Sequence, residues 1–371
     1  MKFGFWFSVS FVALVYAGYP AWLYVRARIR KRAVIQAPIT PEVSVVLAVR
    51  NGAKHLPAKL RNLAELDYPK DRIEVIVVSD GSTDDTNLIL AGCADNRLRA
   101  LVLPDHHGKA EAVNRALDAA RGEVIFFTDV RQTISGDALR HMVSNFADPD
   151  VGCVSGELLF GKASEPGSSH GMGLYWKVEK RMRYWEAQAD SSVGVTGAIY
   201  ATRASLTPRI PDGTILDDVY VPMRVAQQGA RVIFEPRATA WDEAPERAER
   251  EFRRKVRTLV GNYQILQIAP WLLTASNPLL FEFVCHKLLR LIVPFALIVA
   301  FLTSMFLNAP FYRAAFAVQV IGYLLAGLGG LRTRLGILSR LANVALTFVV
   351  LNAAAAVAFF YFISGKKEVW V

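Results

Sequence analysis

Two carboxylates stand side by side at Asp217 and Asp218, directly before an apolar stretch with helical spacing. Adjacent acids drive their pKa values apart, so that one of them can be tuned as a proton acceptor. A general base is one use of such a pair; capping the first turn of a helix is the other. Asp129 closes the run Val124-Ile125-Phe126-Phe127-Thr128, which reads as a buried strand. A carboxylate emerging there is costly unless it is paired or binds a metal. Asp80 follows another apolar run and opens a Ser-Thr-Asp turn, either as a turn-forming side chain or as a ligand contact. Lys109 follows Gly108 at a helix start, where a bare cation is unfavourable and an anion such as a phosphate is welcome. Arg254 and Arg257 lie three apart, hence on one helical face, as a basic stripe or as stabilisers of charge on a leaving group.

The elements that must hold these groups alternate. Residues 43–49 and 73–79 are β-branched and apolar, and residues 53–66 between them carry helical spacing. A helix after Asp84, a strand over 101–103, a helix over 109–120 and a strand over 124–128 continue the pattern. Such alternation predicts a parallel sheet covered by helices, with ligands beyond the carboxyl ends of the strands. Arg50-Asn51, Asp80-Gly81-Ser82 and Asp129 all fall there. Beyond Gly156 the pattern loosens: helices are expected over 175–189, 217–228 and 246–267, and a strand over 197–202.

Around this polar middle the chain is apolar. Residues 3–25 contain no charge and are long enough to cross a hydrocarbon core of roughly 30 Å as a helix. Arg26, Arg28, Arg30, Lys31 and Arg32 follow at once, which predicts a retained anchor with its basic end in the cytoplasm. Residues 291–312, 314–331 and 341–365 are also uncharged. Residues 259–281 lack charge too, but Asn262, Gln264, Gln267, Pro270 and Pro278 suit an interface-lying helix pair better than a span. The net charge of +10 does not point to nucleic acid, because much of the excess (Arg26 to Arg32, Arg332 to Arg340, Lys366, Lys367) flanks apolar runs and suits anionic lipid headgroups. The three cysteines are scattered, with neither metal spacing nor a disulfide framework.

The segments VSVVLAVRNGAKHL (43–56), EVIVVSDGSTDDT (74–86), GKAEAVNRAL (108–117), VIFFTDV (124–130), GVTGAIYATR (194–203), ILDDVYVPMRVAQQGARVIFEP (215–236) and RRKVR (253–257) run in an order that resembles the membrane-bound family 2 inverting glycosyltransferases, in the branch of poly-N-acetylglucosamine and cellulose synthases. The resemblance implies an α/β, Rossmann-like nucleotide-diphosphosugar transferase (GT-A) domain with N- and C-terminal transmembrane helices. It implies that Asn51, Asp80, Lys109, Asp129 and Arg131 bind the donor, a nucleotide diphosphate sugar such as a UDP-sugar. Asp218 matches the family's base, beside Asp217, and Arg254 and Arg257 match its Gln/Arg-x-x-Arg-Trp motif. The family's divalent cation, Mg2+ or Mn2+, is expected at Asp129. This chain departs from the pattern at three places: Arg131 replaces the second aspartate of the metal motif, Gly52 a common glutamate, and Thr258 the sugar-stacking tryptophan.

The expectation is an anchor over 1–32, a catalytic domain over 42–245, interface helices over 246–285 and a membrane region over 286–371. The enzyme would move a hexose or N-acetylhexosamine to a growing glycan from the cytoplasmic side of a cell inner membrane. Its rivals are single addition to a lipid acceptor, and an inactive nucleotide-sugar-sensing subunit of an export complex. His286 and Tyr175-Trp176 are weighed as acceptor contacts, with plain packing preferred for each.

Overall fold

The computed structural model describes residues 1–161, 174–243, 248–331 and 337–365. Arg332, Arg334, Glu246, Lys366 and Lys367 fall outside these, as does the side chain of Tyr175. Strands β1 (Val43–Val49), β2 (Ile73–Asp80), β3 (Leu98–Leu103) and β4 (Val124–Thr128) are parallel and lie in the order β3-β2-β1-β4, with Val43 opposite both Ile73 and Val124. Helices α1 (Lys2–Ile29), α2 (Leu56–Ala64), α3 (Thr86–Ala91) and α4 (Lys109–Ala119) precede or connect them. The β-branched runs of β1 and β2 are buried almost throughout, as a sheet covered on both faces requires.

The second half of the sheet departs from the parallel expectation. It adds β5 (Thr133–Ile134), helix α5 (Ala138–Val143), β6 (Val151–Phe160), helix α6 (Leu174–Ala189), β7 (Ile199–Arg203), helix α7 (Asp217–Gln227) and β8 (Arg231–Asp242). β7 runs antiparallel to β4 and β6, and β5 runs antiparallel to β8, so the sheet is mixed, in the order β3-β2-β1-β4-β7-β6-β8-β5. β6 and β8 pair in parallel with register shifts at Val151/Cys153 and Ser155/Glu157. Gly156 sits at the second shift because a Cβ there would lie 2.6 Å from the Ala238 carbonyl oxygen. The reversal at β7 sets Ile199 opposite Thr128, which brings the turn before β7 beside the end of β4, where Thr128 Oγ1 donates to the Ala198 carbonyl at 3.1 Å.

Among the described residues four helices are long and apolar enough to cross a membrane: α1, α9 (Leu280–Phe306), α10 (Pro310–Gly330) and α11 (Leu338–Ile363). α9 begins at Leu280 rather than at residue 291, so His286, Lys287 and Arg290 belong to it. A π-helical turn at Val284–Leu288 aims His286 into the protein, where it is buried. The expected interface pair is instead α8 (Ala248–Ile268), a 3-10 turn at Pro270–Leu273 and the first turn of α9. α8 lays Val256 and Val260 against Ala354 and Ala358 of α11. The basic flank of α1 partly docks on protein: Arg26 pairs with Glu282, and Arg32 with Asp190 and Asp150.

Candidate active site

The loops after β1, β2, β3 and β4 close over one another before any ligand is considered. Asn51 adopts φ +49°, a left-handed conformation that Asn tolerates, and its Oδ1 accepts the Thr83 amide at 2.8 Å. Gly52 follows; a Cβ there would lie 2.3 Å from Val49 Cγ2. Asp80 is buried and fully engaged. Its Oδ1 accepts the His107 amide at 2.8 Å, and its Oδ2 accepts the Gly108 amide at 2.9 Å and lies 2.7 Å from His106 Nδ1. Burial pushes its carboxyl up, but these bonds outweigh it and hold the pKa below the usual range. Asp80 therefore shapes the loop that launches α4 at Gly108, whose φ is +97°.

Lys109 is drawn between carboxylates. Its Nζ lies 3.3 Å from Asp129 Oδ1 and 3.0 Å from Asp217 Oδ2, tying the end of β4 to the start of α7. Burial disfavours its charge, and Asp129 and Asp217 overcome that and raise its pKa. Below Asp129 sits Lys59 of α2, which the sequence did not single out. Its Nζ donates to Thr128 Oγ1 and to the Gln132 carbonyl, both at 2.8 Å, and so pins the backbone on either side of Asp129. Burial pulls this ammonium down to about 7, opposed by the charge of Asp129. The signal was present: Lys59 shares the apolar face of its helix with Leu56 and Leu63.

Asp218 lies under the turn before β7, with Oδ2 3.6 Å from where a Gly197 side chain would begin. Its pKa is pushed up to about 6, first by burial and then by the charge of Asp217, against the pull of Lys287, Lys109 and Arg183. Lys287 is a second residue missed, since it falls in the membrane region of the sequence. It reaches in from α9, its Nζ 3.6 Å from the place of a Gly194 side chain.

A cavity of about 320 Å³ opens here, lined among others by Asp129, Asp218, Glu157, Trp176, Asp242 and Arg254. It brings Asp218, Asp129 and Arg254 to one space. Arg257 and Thr258 are exposed on α8 and do not line it, and the Thr258 hydroxyl donates to the Arg254 carbonyl at 3.0 Å. Arg131 lines it but is committed to buried Asp242, with Nη2 2.6 Å from Oδ2. Trp176 belongs to the cavity wall, whereas His286 is packed away between Glu179 and Glu186. Among the described residues no three His, Cys, Asp or Glu side chains converge as a metal cluster. Asp129 alone suits a cation shared with a diphosphate, since Mg2+ is commonly held by one or two carboxylates plus substrate phosphates. A raised-pKa carboxylate, an exposed strand-end carboxylate and an arginine in one cavity can together take a proton and steady an anionic leaving group.

Residues 44–206 match the family model described as Glycosyl transferase family 2. Over 240 residues the chain is 25% identical to "Probable glycosyltransferase YdaM" of Bacillus subtilis (strain 168), covering 61% of this chain and 56% of the relative. It is also 25% identical over 248 residues to "Poly-beta-1,6-N-acetyl-D-glucosamine synthase" of Staphylococcus aureus (strain COL), covering 65% of this chain and 60% of that protein. The match thus spans less than two thirds of either relative. Among solved structures, the mannosyltransferase PcManGT of Pyrobaculum calidifontis, in complex with GDP-Man and Mn2+, superposes with a TM-score of 0.72 at 25% identity, covering 97% of this chain and 98% of that one. Residues 44–206 are therefore similar to family 2 glycosyltransferases, and the chain has a mixed α/β, GT-A-like fold joined to helices long and apolar enough to span a membrane.

Proposed function

We propose that this chain transfers a hexose or N-acetylhexosamine from a nucleotide diphosphate sugar to a growing glycan, with inversion, at the cytoplasmic face of a cell inner membrane. The observation that carries this reading is Asp218, a half-buried carboxylate with its pKa near the working range of a base, in one cavity with Asp129 and Arg254. Asp218 takes the proton of the acceptor hydroxyl. Asp217 keeps the pKa of Asp218 high and, through Lys109, fixes Asp129. Asn51 and the loop built on Asp80 frame the nucleotide. Arg254 steadies the departing diphosphate, while Arg131 serves Asp242 and Arg257 stays exposed outside the cavity. Asp129 would hold a divalent cation, which neutralises diphosphate charge when bound. Residues 42–245 form the catalytic unit, 1–32 and 286–371 the membrane parts, and 246–285 the join between them.

Membranes containing the full chain, given labelled nucleotide sugars and followed by sizing of the product, test the function. A polymer supports the reading. Consumption of no donor overturns it and leaves a sensing subunit of an export complex. A second reading, one sugar added to a lipid acceptor, draws on Thr258 in place of the stacking tryptophan. It predicts a product of one sugar on lipid.

Three further outcomes are expected. Excess EDTA abolishes transfer, and Asp129→Ala removes the response of donor binding to added Mn2+; full activity in EDTA would refute the cation role. Lys287→Met removes a cation that favours the charged form of Asp218, so the acid limb of the pH–rate profile moves to higher pH. An unmoved limb would show that Lys287 does not act on the base. For orientation, Ser339→Cys should resist a membrane-impermeant thiol reagent in intact cells and react after they are opened. Labelling from outside would reverse the proposed sidedness.

A further inference from the structure

We infer that Lys59 is a positioning residue of the donor site: its buried ammonium clamps the chain on both sides of Asp129 and carries that placement across β4 to the turn over Asp218. The inference rests on the transferase reading above and adds to it a residue outside the lining of the cavity.

Lys59 is only 2% exposed, on the face of α2 that it shares with Leu56 and Leu63. Apolar packing alone favours a neutral side chain there, because a buried charge is costly unless hydrogen bonds and nearby opposite charge offset it. The hydrogen bonds all go to one short stretch: Nζ donates to Thr128 Oγ1 and to the Gln132 carbonyl, both at 2.8 Å. Between these anchors lie Asp129, Val130 and Arg131, which belong to neither β4 nor β5. The negative charge of Asp129 favours the ammonium in return.

A fastener for the fold is already present beside it. Asn62, one turn further along α2, donates from Nδ2 to the Ile134 carbonyl and accepts the Ile134 amide at Oδ1, both at 2.7 Å. The Asp67 amide donates to the Gly136 carbonyl at 2.9 Å. These bonds hold β5 and the residues after it, beyond the stretch that Lys59 grips. Lys59 is left with residues 128–132, which set where the Asp129 carboxylate stands.

The same ammonium reaches toward the base. Thr128 has one hydroxyl proton, and with Nζ donating to Oγ1 that proton is directed to the Ala198 carbonyl at 3.1 Å, nearer than the Asp129 carbonyl at 3.5 Å. Ala198 follows Gly197, whose turn covers Asp218. The relay from Lys59 through Thr128 to Ala198 thus fixes the strand end that carries Asp129 relative to the turn over Asp218. Transfer needs these two held in one spacing, since a misplacement of about 1 Å can cost on the order of 100-fold in rate.

The test uses the full chain in membranes with labelled UDP-glucose, UDP-N-acetylglucosamine and GDP-mannose as probes at saturating Mn2+. Lys59→Met keeps most of the length and packing of the side chain and removes the clamp. It should raise the Kd of whichever probe the wild type binds, and lower the turnover of that probe, by about tenfold or more each. Asn62→Ala is the comparison for a purely structural role: it should lower the unfolding temperature yet move that Kd and turnover less than about twofold. A Kd in Lys59→Met within about twofold of the wild type overturns the inference and leaves the transferase reading intact. So do equal changes in Kd and turnover in Asn62→Ala, which would make Lys59 one fold fastener among others. If Lys59→Met yields no folded protein, Thr128→Val carries the test, since it keeps the shape of the strand and removes one anchor with the relay to Ala198. A Kd and turnover within about twofold of the wild type in Thr128→Val then overturn the inference. Consumption of no donor by the wild type refutes the transferase reading itself, and this inference with it.

Discussion

Asp218→Asn should lower sugar transfer by about 100-fold or more while nucleotide-sugar affinity stays near that of the wild type. The substitution keeps the size and hydrogen-bonding shape of a side chain beneath the Gly197 turn and removes only its capacity to accept a proton. The pH dependence gives a second readout. With burial and Asp217 pushing the carboxyl up to about 6, the base is lost as pH falls through that value, so wild-type transfer should decline on the acid side near about pH 6. Asp217→Asn makes the informative comparison. It removes the neighbouring charge that raises the Asp218 pKa, so the acid limb should move down, and it frees Lys109 from one of its two carboxylates. Near-normal turnover in Asp218→Asn, with collapse in Asp217→Asn, would transfer the base to Asp217.

Much of this site is legible in the sequence because its carboxylates end strands that announce themselves. The β-branched runs of β1, β2 and β4 alternate with helical spacing, so Asn51, Asp80 and Asp129 could be placed at strand ends without coordinates. The second half of the sheet hides its signals. β6 is buried on both faces over most of its length and is broken by Gly152, Gly156 and two register shifts, so neither alternation nor an unbroken apolar run marks it. β8 carries Pro236 and ends on the polar residue that matters most there. Without β8 in view, Asp242 had no place, and Arg131 looked free to meet a diphosphate. The two lysines that escaped notice were hidden by their contexts. Lys59 resembles a solvated helical lysine until its apolar neighbours on the same face are counted, and Lys287 sits about two helical turns inside α9, whose apolar character dominates any reading. Local sequence reports which face of an element is apolar; it does not report which distant strand that face will meet.

The largest stability effect should come from the joint between the membrane helices and the catalytic domain. His286, on the π-turn of α9, lies between two buried glutamates of α6, with Nδ1 2.6 Å from Glu186 Oε1 and Nε2 2.8 Å from Glu179 Oε1. Both ring nitrogens face carboxylates. Tyr19 of α1 donates to Glu186 at 2.8 Å, and Arg290 of α9 to Glu179 at 2.7 Å, so α1, α6 and α9 meet in one network. Burial pushes both glutamates up, but His286 outweighs it, with Arg290 helping at Glu179, and both are held below the usual carboxylate range. His286→Leu keeps the volume and removes the cation, which leaves buried charge uncompensated and should cost about 3–5 kcal/mol. In the wild type the glutamates have depressed pKa values, so their contribution is present at neutral pH and survives mild acidification, and it is lost only as pH falls through those low values. In His286→Leu the burial of Glu186 is no longer offset by the imidazolium. Its pKa then rises above the unfolded value, its charge is a cost at neutral pH, and mild acidification should recover stability. His286→Leu with Glu186→Gln removes that buried charge and should melt higher than His286→Leu alone. Thermal unfolding in detergent, followed by intrinsic fluorescence at neutral pH and at about pH 5, measures all three proteins. If His286→Leu melts within a degree or so of the wild type, or if adding Glu186→Gln lowers stability further, the network does not hold the two parts of the molecule together.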